Sequence, residues 1–264
     1  GTPAYARAVS AETGKLDWET KLPWPPGPAS ARPYPSLPYV YFYSEIGRIC
    51  KISVNDGRIL WSRDLLGLRV KPDEPLREDV ESSSKATMIE VNGNRIFFHL
   101  DNRVYALSDD DGRILWKTKV AEYAEPVPNQ PLVWRGMIVI IVRNLGVADE
   151  LKALNMKTGE IVWTWKLAQI SKSLPDQSNP IPIYNEVSSN LLVFGKDLLF
   201  CTVDGVLHAL GDDNVGERWQ IRLSRQSSPY ADFAATLFLI DSQVVAFNGA
   251  TIWWINISPK SAKN

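Results

Sequence analysis

The phrase ALSDDDGRILWKTKV at residues 106–120 decides the fold, because related copies of it recur along the chain. The other copies read AVSAETGKLDWETKL at 8–22, KISVNDGRILWSRDL at 51–65, ALNMKTGEIVWTWKL at 153–167 and, in degraded form, ALGDDNVGERWQIRL at 209–223. Every copy contains a glycine followed three or four residues later by a tryptophan. These pairs are Gly14 and Trp18, Gly57 and Trp61, Gly112 and Trp116, Gly159 and Trp163, and Gly216 and Trp219. We therefore treat them as the structural repeat positions of the fold.

Each copy has the local pattern of two strands joined by a tight turn. Ala106 and Leu107 end one strand, and a polar turn follows in which glycine can adopt positive φ. In the next strand Ile114 and Trp116 are two residues apart, which places them on one face of a sheet. We expect each repeat tryptophan to be largely buried against the neighbouring repeat.

Two more strand-like runs precede the turn, and no segment shows convincing helical periodicity. The clearest set is Ala86–Val91, Arg95–Leu100, Arg103–Leu107 and Arg113–Val120, which we name strands A to D. A second set is Leu191–Phe194, Leu198–Val203, Val206–Leu210 and Arg218–Leu223. A repeat of more than forty residues with one Gly and one Trp is typical of propeller blades. The sequence thus predicts an all-β propeller of four-stranded antiparallel blades.

The number of blades stays open between five and six. The first copy has only a strand C at Tyr5–Val9 and a strand D at Lys15–Thr20. Three runs follow the fifth copy, at Thr236–Ile240, Gln243–Phe247 and Thr251–Ile257, and they have the pattern of A, B and C without D. We expect residues 1–264 to form a single propeller domain, either a closed ring or part of a larger one.

The phrase resembles the PQQ-like repeat, whose pattern is ALD-x-x-TG-x-x-x-W. Such repeats occur in quinoprotein dehydrogenases, in propeller scaffolds such as the outer-membrane assembly factor BamB, and in luminal domains of endoplasmic reticulum proteins. The resemblance extends over nearly the whole chain and implies the fold. It implies no single function, because its members include both enzymes and scaffolds.

A quinoprotein dehydrogenase of this kind would need an adjacent cysteine pair and a Glu/Asn/Asp set that holds calcium. The sequence has no Cys-Cys, and Asp109–Asp111 lacks the spacing of a calcium loop, so we interpret it as a turn. His99 and His208 lack zinc-site spacing and are interpreted as structural residues. Serine-hydrolase, P-loop and HExxH signatures are also absent. We expect no catalytic residues, no metal and no cofactor.

Composition narrows the classes of partner. The formal net charge of -1 disfavours nucleic-acid binding. No apolar run is long enough for a transmembrane segment, although a membrane-associated assembly is compatible with the sequence. Cys50 and Cys201 lie in apolar runs and are expected to pack in the core, with a disulfide between them as the alternative. The sequence begins with Gly1 instead of Met, which either a removed secretory signal or a cloned fragment would explain. We expect an extracytoplasmic location: secreted, periplasmic or luminal.

The length variation lies in the connections from strand D to the next strand A, whereas the B–C and C–D turns read as short. These D–A connections are roughly Leu22–Ser36, Leu66–Lys85, Ala121–Gln130, Ala168–Ser189 and Ser224–Ala231. In antiparallel blades they all emerge at the same end. The aromatic and arginine side chains expected there are Trp24, Tyr34, Arg69, Tyr123 and Tyr184, and such residues are enriched in interface hot spots.

We therefore predict a non-catalytic scaffold that binds protein partners through these connections, as one subunit of a larger assembly. The alternative is a quinone- or sugar-binding propeller related to the quinoprotein dehydrogenases.

Overall fold

In a computed structural model the protein is described over residues 4–23, 31–44, 47–65, 86–100, 102–122, 131–143, 148–168, 170–172, 181–183, 185–211, 216–223 and 234–257. Across these ranges the chain forms strands, turns and irregular segments without a helix. Consequently no described helix is long and apolar enough to cross a membrane. The chain divides into two compact units, Gly1–Lys119 and Val120–Asn264. The single domain over 1–264 stays a prediction.

The first unit contains a two-stranded sheet and two four-stranded blades, all antiparallel. Its strands are β1 (Tyr5–Val9), β2 (Leu16–Lys21), β3 (Ala31–Ser36), β4 (Tyr39–Ser44), β5 (Arg48–Ser53), β6 (Ile59–Asp64), β7 (Ala86–Asn92), β8 (Arg95–Leu100), β9 (Arg103–Ser108) and β10 (Ile114–Lys119). Strands β1 and β2 form the first sheet. Strands β3 to β6 form blade 1 and β7 to β10 form blade 2, each in the spatial order A-B-C-D.

The second unit contains two four-stranded blades, a hairpin and a three-stranded sheet. Its strands are β11 (Leu132–Trp134), β12 (Met137–Val142), β13 (Glu150–Asn155), β14 (Ile161–Lys166), β15 (Ile170–Lys172), β16 (Ile181–Ile183), β17 (Leu192–Phe194), β18 (Asp197–Cys201), β19 (Val206–Leu210), β20 (Glu217–Arg222), β21 (Thr236–Ile240), β22 (Gln243–Phe247) and β23 (Ile252–Ile255). Strands β11 to β14 form blade 3 and β17 to β20 form blade 4. Strands β21 to β23 form the last sheet.

The predicted fold class is confirmed: the protein is all-β, of the propeller class, with four-stranded antiparallel blades. The connections differ from the prediction in three places. The proline-rich segment Ala31–Ser36 is strand A of blade 1, paired with β4, and not loop. The fourth D–A connection contains the β15–β16 hairpin. The B–C connection of blade 3 is not short, because it extends over residues 143–149.

The repeated turn between strands C and D has one hydrogen-bond pattern in the first four copies. In blade 2 the N–H of Gly112 donates to the carbonyl of Ser108 at 2.9 Å, and the N–H of Ser108 donates to the carbonyl of Arg113 at 2.9 Å. Ser10, Ser53 and Asn155 make the same two bonds in the other three copies. Each carbonyl accepts from the N–H of the glycine, and each N–H donates to the carbonyl of the residue after the glycine. Positive φ at Gly14, Gly57, Gly112 and Gly159 closes each turn. The repeat thus conserves a backbone geometry as well as residue types.

The residue before each of these glycines completes the turn through its side chain. The N–H of Arg113 donates to Oδ1 of Asp111 at 3.1 Å, and this bond is the first cause that lowers the pKa of Asp111. Asp56, Thr13 and Thr158 accept the equivalent bond. Asp109–Asp111 is therefore a turn, as the sequence predicts.

The fifth copy deviates from this geometry, and Gly216 is not the equivalent of the other repeat glycines. The N–H of Gly211 donates to the carbonyl of Gly216 at 3.0 Å, which is the bond that Ser10 makes with Lys15. Gly216 therefore corresponds to Lys15, one position after the left-handed residue, and its φ is not positive. This shift explains why Gly216 lies three residues before Trp219 and not four.

A β-bulge immediately precedes the tryptophan in all five copies. In blade 2, Trp116 lies opposite Ala106 and Ile114 lies opposite Leu107, so Leu115 is the extra residue. The bulge interrupts the alternation that predicted a shared face. Ile114 is accordingly exposed, whereas Trp116 is half-buried. Trp61 is buried as expected, while Trp163 is half-buried like Trp116.

The tryptophan of one blade packs on the glycine turn of the next. A Cβ added to Gly112 would lie 2.6 Å from Cε3 of Trp61, and the indole N–H of Trp61 donates to the carbonyl of Asp109 at 2.8 Å. Trp18 repeats both features, with Gly57 at 2.6 Å and the carbonyl of Val54 at 2.7 Å. The accepting carbonyl is in both cases three residues before the glycine. We name the side of a blade that carries the tryptophan its forward face and the opposite side its backward face.

The two cysteines are free and lie in separate apolar cores. Cys50 belongs to a cluster with Ala6, Leu22 and Ile52, and Cys201 to a cluster with Leu199. Burial raises the pKa of both thiols to about 12. The core-packing prediction for both residues is confirmed.

Substitution of Gly112 by alanine should destabilise the protein more than substitution of Gly14. Both residues have positive φ, so both variants incur a conformational cost of about 1–2 kcal/mol. Only at Gly112 does the new Cβ collide with an indole, which adds about 1–3 kcal/mol. Denaturant unfolding of Gly112→Ala and the matched control Gly14→Ala measures the difference. Equal losses of free energy would show that the indole contact is not tight.

Candidate functional site

The D–A connections and the B–C turns lie at one end of each blade, which we name the D–A end. In three blades an ion pair lies at this end. One partner begins strand C or lies in the B–C turn before it, and the other is the last residue of strand D. The pairs are Arg48 with Asp64 at 3.5 Å, Lys166 with Glu150 at 3.1 Å, and Arg222 with Asp204 at 3.2 Å. Lys166 and Arg222 have the most exposed side chains of the six, at 75% and 56%. The D–A end therefore presents charged side chains of both signs.

A buried carboxylate organises the D–A end of blade 3. Asp149 is fully buried and accepts two bonds from Arg143, at 3.0 Å to Oδ1 and 2.9 Å to Oδ2. The backbone N–H of Val187 donates to Oδ2 of Asp149 at 2.9 Å. Arg143 also lies 3.1 Å from the carboxylate of Glu186. The long B–C connection of blade 3 is thus anchored to the chain that enters blade 4.

The segment 185–190 joins three sheets through its backbone and short polar side chains. The N–H of Asp149 donates to the carbonyl of Asn185 at 3.0 Å, which fixes the segment to blade 3. Ser189 Oγ accepts from the N–H of Cys201 at 2.7 Å in blade 4. The amide of Asn190 bonds both backbone groups of Leu237 in the last sheet. This part of the fourth D–A connection is therefore a structural tether and not a free loop.

Two lysines at the D–A end of blade 3 lower the pKa of the Glu150 carboxyl group. Burial acts to raise its pKa, but hydrogen bonds from Lys152 and Lys166 outweigh burial and lower the pKa below the ordinary value. Lys152 also donates to the carbonyl of Val120 at 2.6 Å. The carboxylate form of Glu150 is the one that the folded protein stabilises.

Of the five predicted partner-binding residues only Tyr34 is described, because Trp24, Arg69, Tyr123 and Tyr184 lie outside the described residues. Tyr34 lies in strand β3, and its hydroxyl donates to Oε2 of Glu90 in strand A of blade 2 at 3.4 Å. It therefore contributes to a contact between blades and not to a D–A loop. The five residues as a binding set remain a prediction.

His208 belongs to a polar network that sequence reasoning did not find. Its Nε2 lies 3.0 Å from Oγ1 of Thr202, its Nδ1 bonds Glu217, and its ring stacks on Phe200. In some enzymes a hydroxyl, an imidazole and a carboxylate are linked in this order: the hydroxyl is the nucleophile, the imidazole is its general base, and the carboxylate orients the imidazole. Thr202 is fully buried, however, and its hydroxyl already bonds Asp204 at 2.6 Å. The buried hydroxyl is thus engaged by Asp204, and the network supports the B–C turn of blade 4.

Lys51 is a second missed residue, and the repeat itself contains its signal. It is buried at the position where the other copies have alanine, opposite the tryptophan. Its Nζ donates to Oδ2 of Asp109 at 2.7 Å and lies 3.8 Å from the centre of the Tyr39 ring. Tyr41 bonds the same carboxylate, and burial followed by this bond raises the pKa of the phenol. The cluster is internally paired and joins blades 1 and 2.

Comparison with known proteins identifies relatives of two kinds. A family model, PQQ_2, described as outer membrane protein assembly factor BamB, matches residues 4–80 and 73–262. The chain is 28% identical over 129 residues to the quinoprotein alcohol dehydrogenase PedH of Pseudomonas putida, which covers 47% of this chain and 20% of that protein. It is 22% identical over 181 residues to outer membrane protein assembly factor BamB of Yersinia pestis, which covers 66% of this chain and 42% of that protein. Both alignments thus span less than half of the relative's length.

Solved structures show the same fold at low identity. The computationally designed Ika8 protein superposes with a TM-score of 0.59 and 13% identity, over 94% of this chain and 64% of that one. The quinohemoprotein alcohol dehydrogenase ADHIIG from Pseudomonas putida gives a TM-score of 0.56 and 14% identity, over 84% and 39%. These similarities support the fold class and no activity.

Removal of the buried carboxylate should cost far more stability than removal of an exposed ion pair. We expect Asp149→Ala to lower the free energy of unfolding by about 3–5 kcal/mol, because the half-buried Arg143 and the buried Val187 N–H lose their acceptor. Arg222→Ala, the matched control at the D–A end of blade 4, should cost less than about 1 kcal/mol. Denaturant unfolding measures both. Small, similar losses would mean that Asp149 does not anchor the connection.

The lowered pKa of Glu150 predicts a loss of stability in acid. Its stabilising contribution is fully present above the unfolded pKa, about 4.3, and disappears as the pH falls through the lower folded value. The free energy of unfolding of the wild type should therefore fall more between pH 7 and pH 3 than that of Glu150→Gln. Denaturant titrations at several pH values provide the measurement. Parallel pH profiles for the two proteins would contradict the prediction.

Proposed function

The chain belongs to the PQQ_2 family, described as outer membrane protein assembly factor BamB, and from this premise we propose that it is a non-catalytic protein-interaction scaffold. The family match is the observation that carries the proposal, because it covers nearly all of the described residues. It supports a scaffold at the level of the family. The chain then acts as one extracytoplasmic subunit of a larger assembly.

We place the partner site at the D–A end. The C–D turns of the first four copies have one repeated hydrogen-bond pattern, and those of blades 1 and 2 are also occupied by contacts with the preceding sheet, which leaves little freedom for specific recognition. The D–A end combines exposed charged side chains with connections of variable length, and loops on a rigid scaffold are where binding residues concentrate. The ion pair between Arg143 and the buried Asp149 anchors its blade 3 portion to the chain that enters blade 4.

A second candidate is supported by the similarity to PedH. Over 129 residues the chain is more identical to this quinoprotein alcohol dehydrogenase than to BamB of Yersinia pestis. The residues do not fit the cofactor set that such an enzyme requires. The sequence has no adjacent cysteine pair, and within the described ranges no three His, Cys, Asp or Glu side chains cluster to hold a metal ion. Reconstitution with PQQ and calcium, followed by dye reduction with alcohols, distinguishes the two: turnover above a heat-denatured control would favour the enzyme.

Site-specific photo-crosslinking tests the proposed partner site. A photoreactive amino acid replaces Lys166 or Arg222 at the D–A end, and Lys157 or Arg58 in the C–D turns as matched exposed controls. Irradiation of cells should yield adducts with another protein from the first pair, identified by mass spectrometry. Adducts from the C–D positions alone would place the partner at the opposite end of the blades.

A further inference from the structure

Blade 4 has a threonine, a histidine and a glutamate where blade 2 has a leucine, a tyrosine and an isoleucine. In strand register the equivalent residues are Thr202 and Leu100, His208 and Tyr105, and Glu217 and Ile114. The other three copies also have a leucine or an isoleucine at the position of Glu217. The repeat therefore does not require this polar network. Because buried polar groups are costly unless they are paired, their presence indicates a role that is specific to blade 4.

The hydrogen bonds around His208 require a proton on both ring nitrogens. The hydroxyl of Thr202 has one proton, and two acceptors compete for it: Oδ1 of Asp204 at 2.6 Å and the carbonyl of Val206 at 3.3 Å. The hydroxyl therefore presents a lone pair to Nε2 of His208, which lies 3.0 Å away and must donate. Nδ1 of His208 faces Oε1 of Glu217, and because a carboxylate only accepts, Nδ1 donates as well. Only the imidazolium form donates from both nitrogens.

The groups packed around the ring compensate the charge of the imidazolium. Glu217 on strand β20 and Asp204 in the B–C turn supply negative charge. On the backward face of blade 4, the rings of Phe200 and, from blade 3, Trp165 lie at centroid distances of 5.1 and 6.1 Å. The remaining charged or titratable side chains on strands β14, β18 and β20 are paired, except for one buried thiol: Lys166 with Glu150, Asp197 with Arg218, Arg222 with Asp204, and Cys201.

Loss of one proton from His208 changes the bonds that reach the D–A end. A neutral ring that still donates to Glu217 presents a lone pair to Thr202, so Nε2 and Asp204 then compete for one hydroxyl proton. Asp204 in turn holds Arg222, which donates to its carbonyl at 2.8 Å and to its carboxylate at 3.2 Å. A buried acceptor without a donor is unfavourable, and the turn has to rearrange to relieve it.

We propose that protonation of His208 is a switch that sets the order of the B–C turn at residues 202–206 and the position of Arg222 at the D–A end. The imidazolium holds the turn through Thr202 and Asp204, and the neutral ring releases it. A histidine suits this role because its charge ordinarily changes between pH 5 and 8. The switch goes beyond the scaffold function and does not depend on which partner the D–A end binds.

An NMR titration of the folded chain from pH 5 to pH 8 tests the switch. The backbone amide signals of Gly205 and Arg222 report on the turn and on the end of strand β20. His208→Tyr removes the imidazole and introduces the residue type of the equivalent position in blade 2. His99→Cys is the matched control, because His99 is the other histidine of the chain and Cys201 is its equivalent in blade 4. Far-UV circular dichroism checks that each variant is folded.

We expect the wild type and His99→Cys to show one common transition of both signals in this pH range, and His208→Tyr to show none. Glu217→Gln should move the transition to lower pH by about one unit, because the imidazolium loses its counter-charge while an acceptor oxygen remains. If His208→Tyr does not fold, His208→Tyr combined with Glu217→Ile replaces it, since this pair occurs in blade 2.

A wild type without a transition between pH 5 and 8 would overturn the proposal. So would a transition that persists in the folded variant without His208, or one that disappears in His99→Cys. An unchanged transition in Glu217→Gln would also contradict it, because the ring would then titrate without its proposed counter-charge.

Discussion

In the first unit, the contact between the indole of one sheet and the glycine turn of the next blade is the constraint on which the packing of successive sheets depends. It combines a close approach that only glycine permits with a hydrogen bond to a carbonyl three residues before that glycine. The turn can present both the carbonyl and the glycine to the indole only if it keeps its length and its left-handed residue. For the indole to reach them, the tryptophan must leave strand D at the bulge. One contact thus accounts for the glycine, the tryptophan and their spacing.

The strands were predictable from sequence because their signals are local. Alternating apolar residues and turn-forming dipeptides located β8, β9, β19, β21 and β22 within a residue or two of their observed bounds. Features that depend on hydrogen-bond register were not predictable. The bulge exposes Ile114, although it lies two residues from Trp116. The shorter spacing from Gly216 to Trp219 is visible in the sequence, but only the bond between Gly211 and Gly216 explains it. Periodicity specifies which segments pair, but not where a ladder shifts.

The candidate site was less predictable, because its organising residues act through tertiary contacts. Asp149 follows no motif, and its role becomes visible only when Arg143 and the segment 185–190 are in place around it. Lys51 is different. Alignment of the five copies shows a lysine where alanine occurs in the others, and a charge at a repeated core position predicts a buried partner. Comparison of repeats within one chain therefore reveals departures from the pattern that a motif search overlooks.

The same constraint separates the two ends of each blade into a fixed end and a variable end. In blades 1 and 2 the C–D turn contributes a carbonyl and a glycine to the contact with the preceding sheet, so an insertion there would displace an interface. A D–A connection has only to join one blade to the next, and its length can change without moving an indole from its glycine. The segment 185–190 shows that this freedom can be used for stability, since its polar groups join three sheets. Where a D–A connection is not used as a tether, it can acquire a binding surface at little cost to the fold, because the contacts that hold the blades together lie elsewhere.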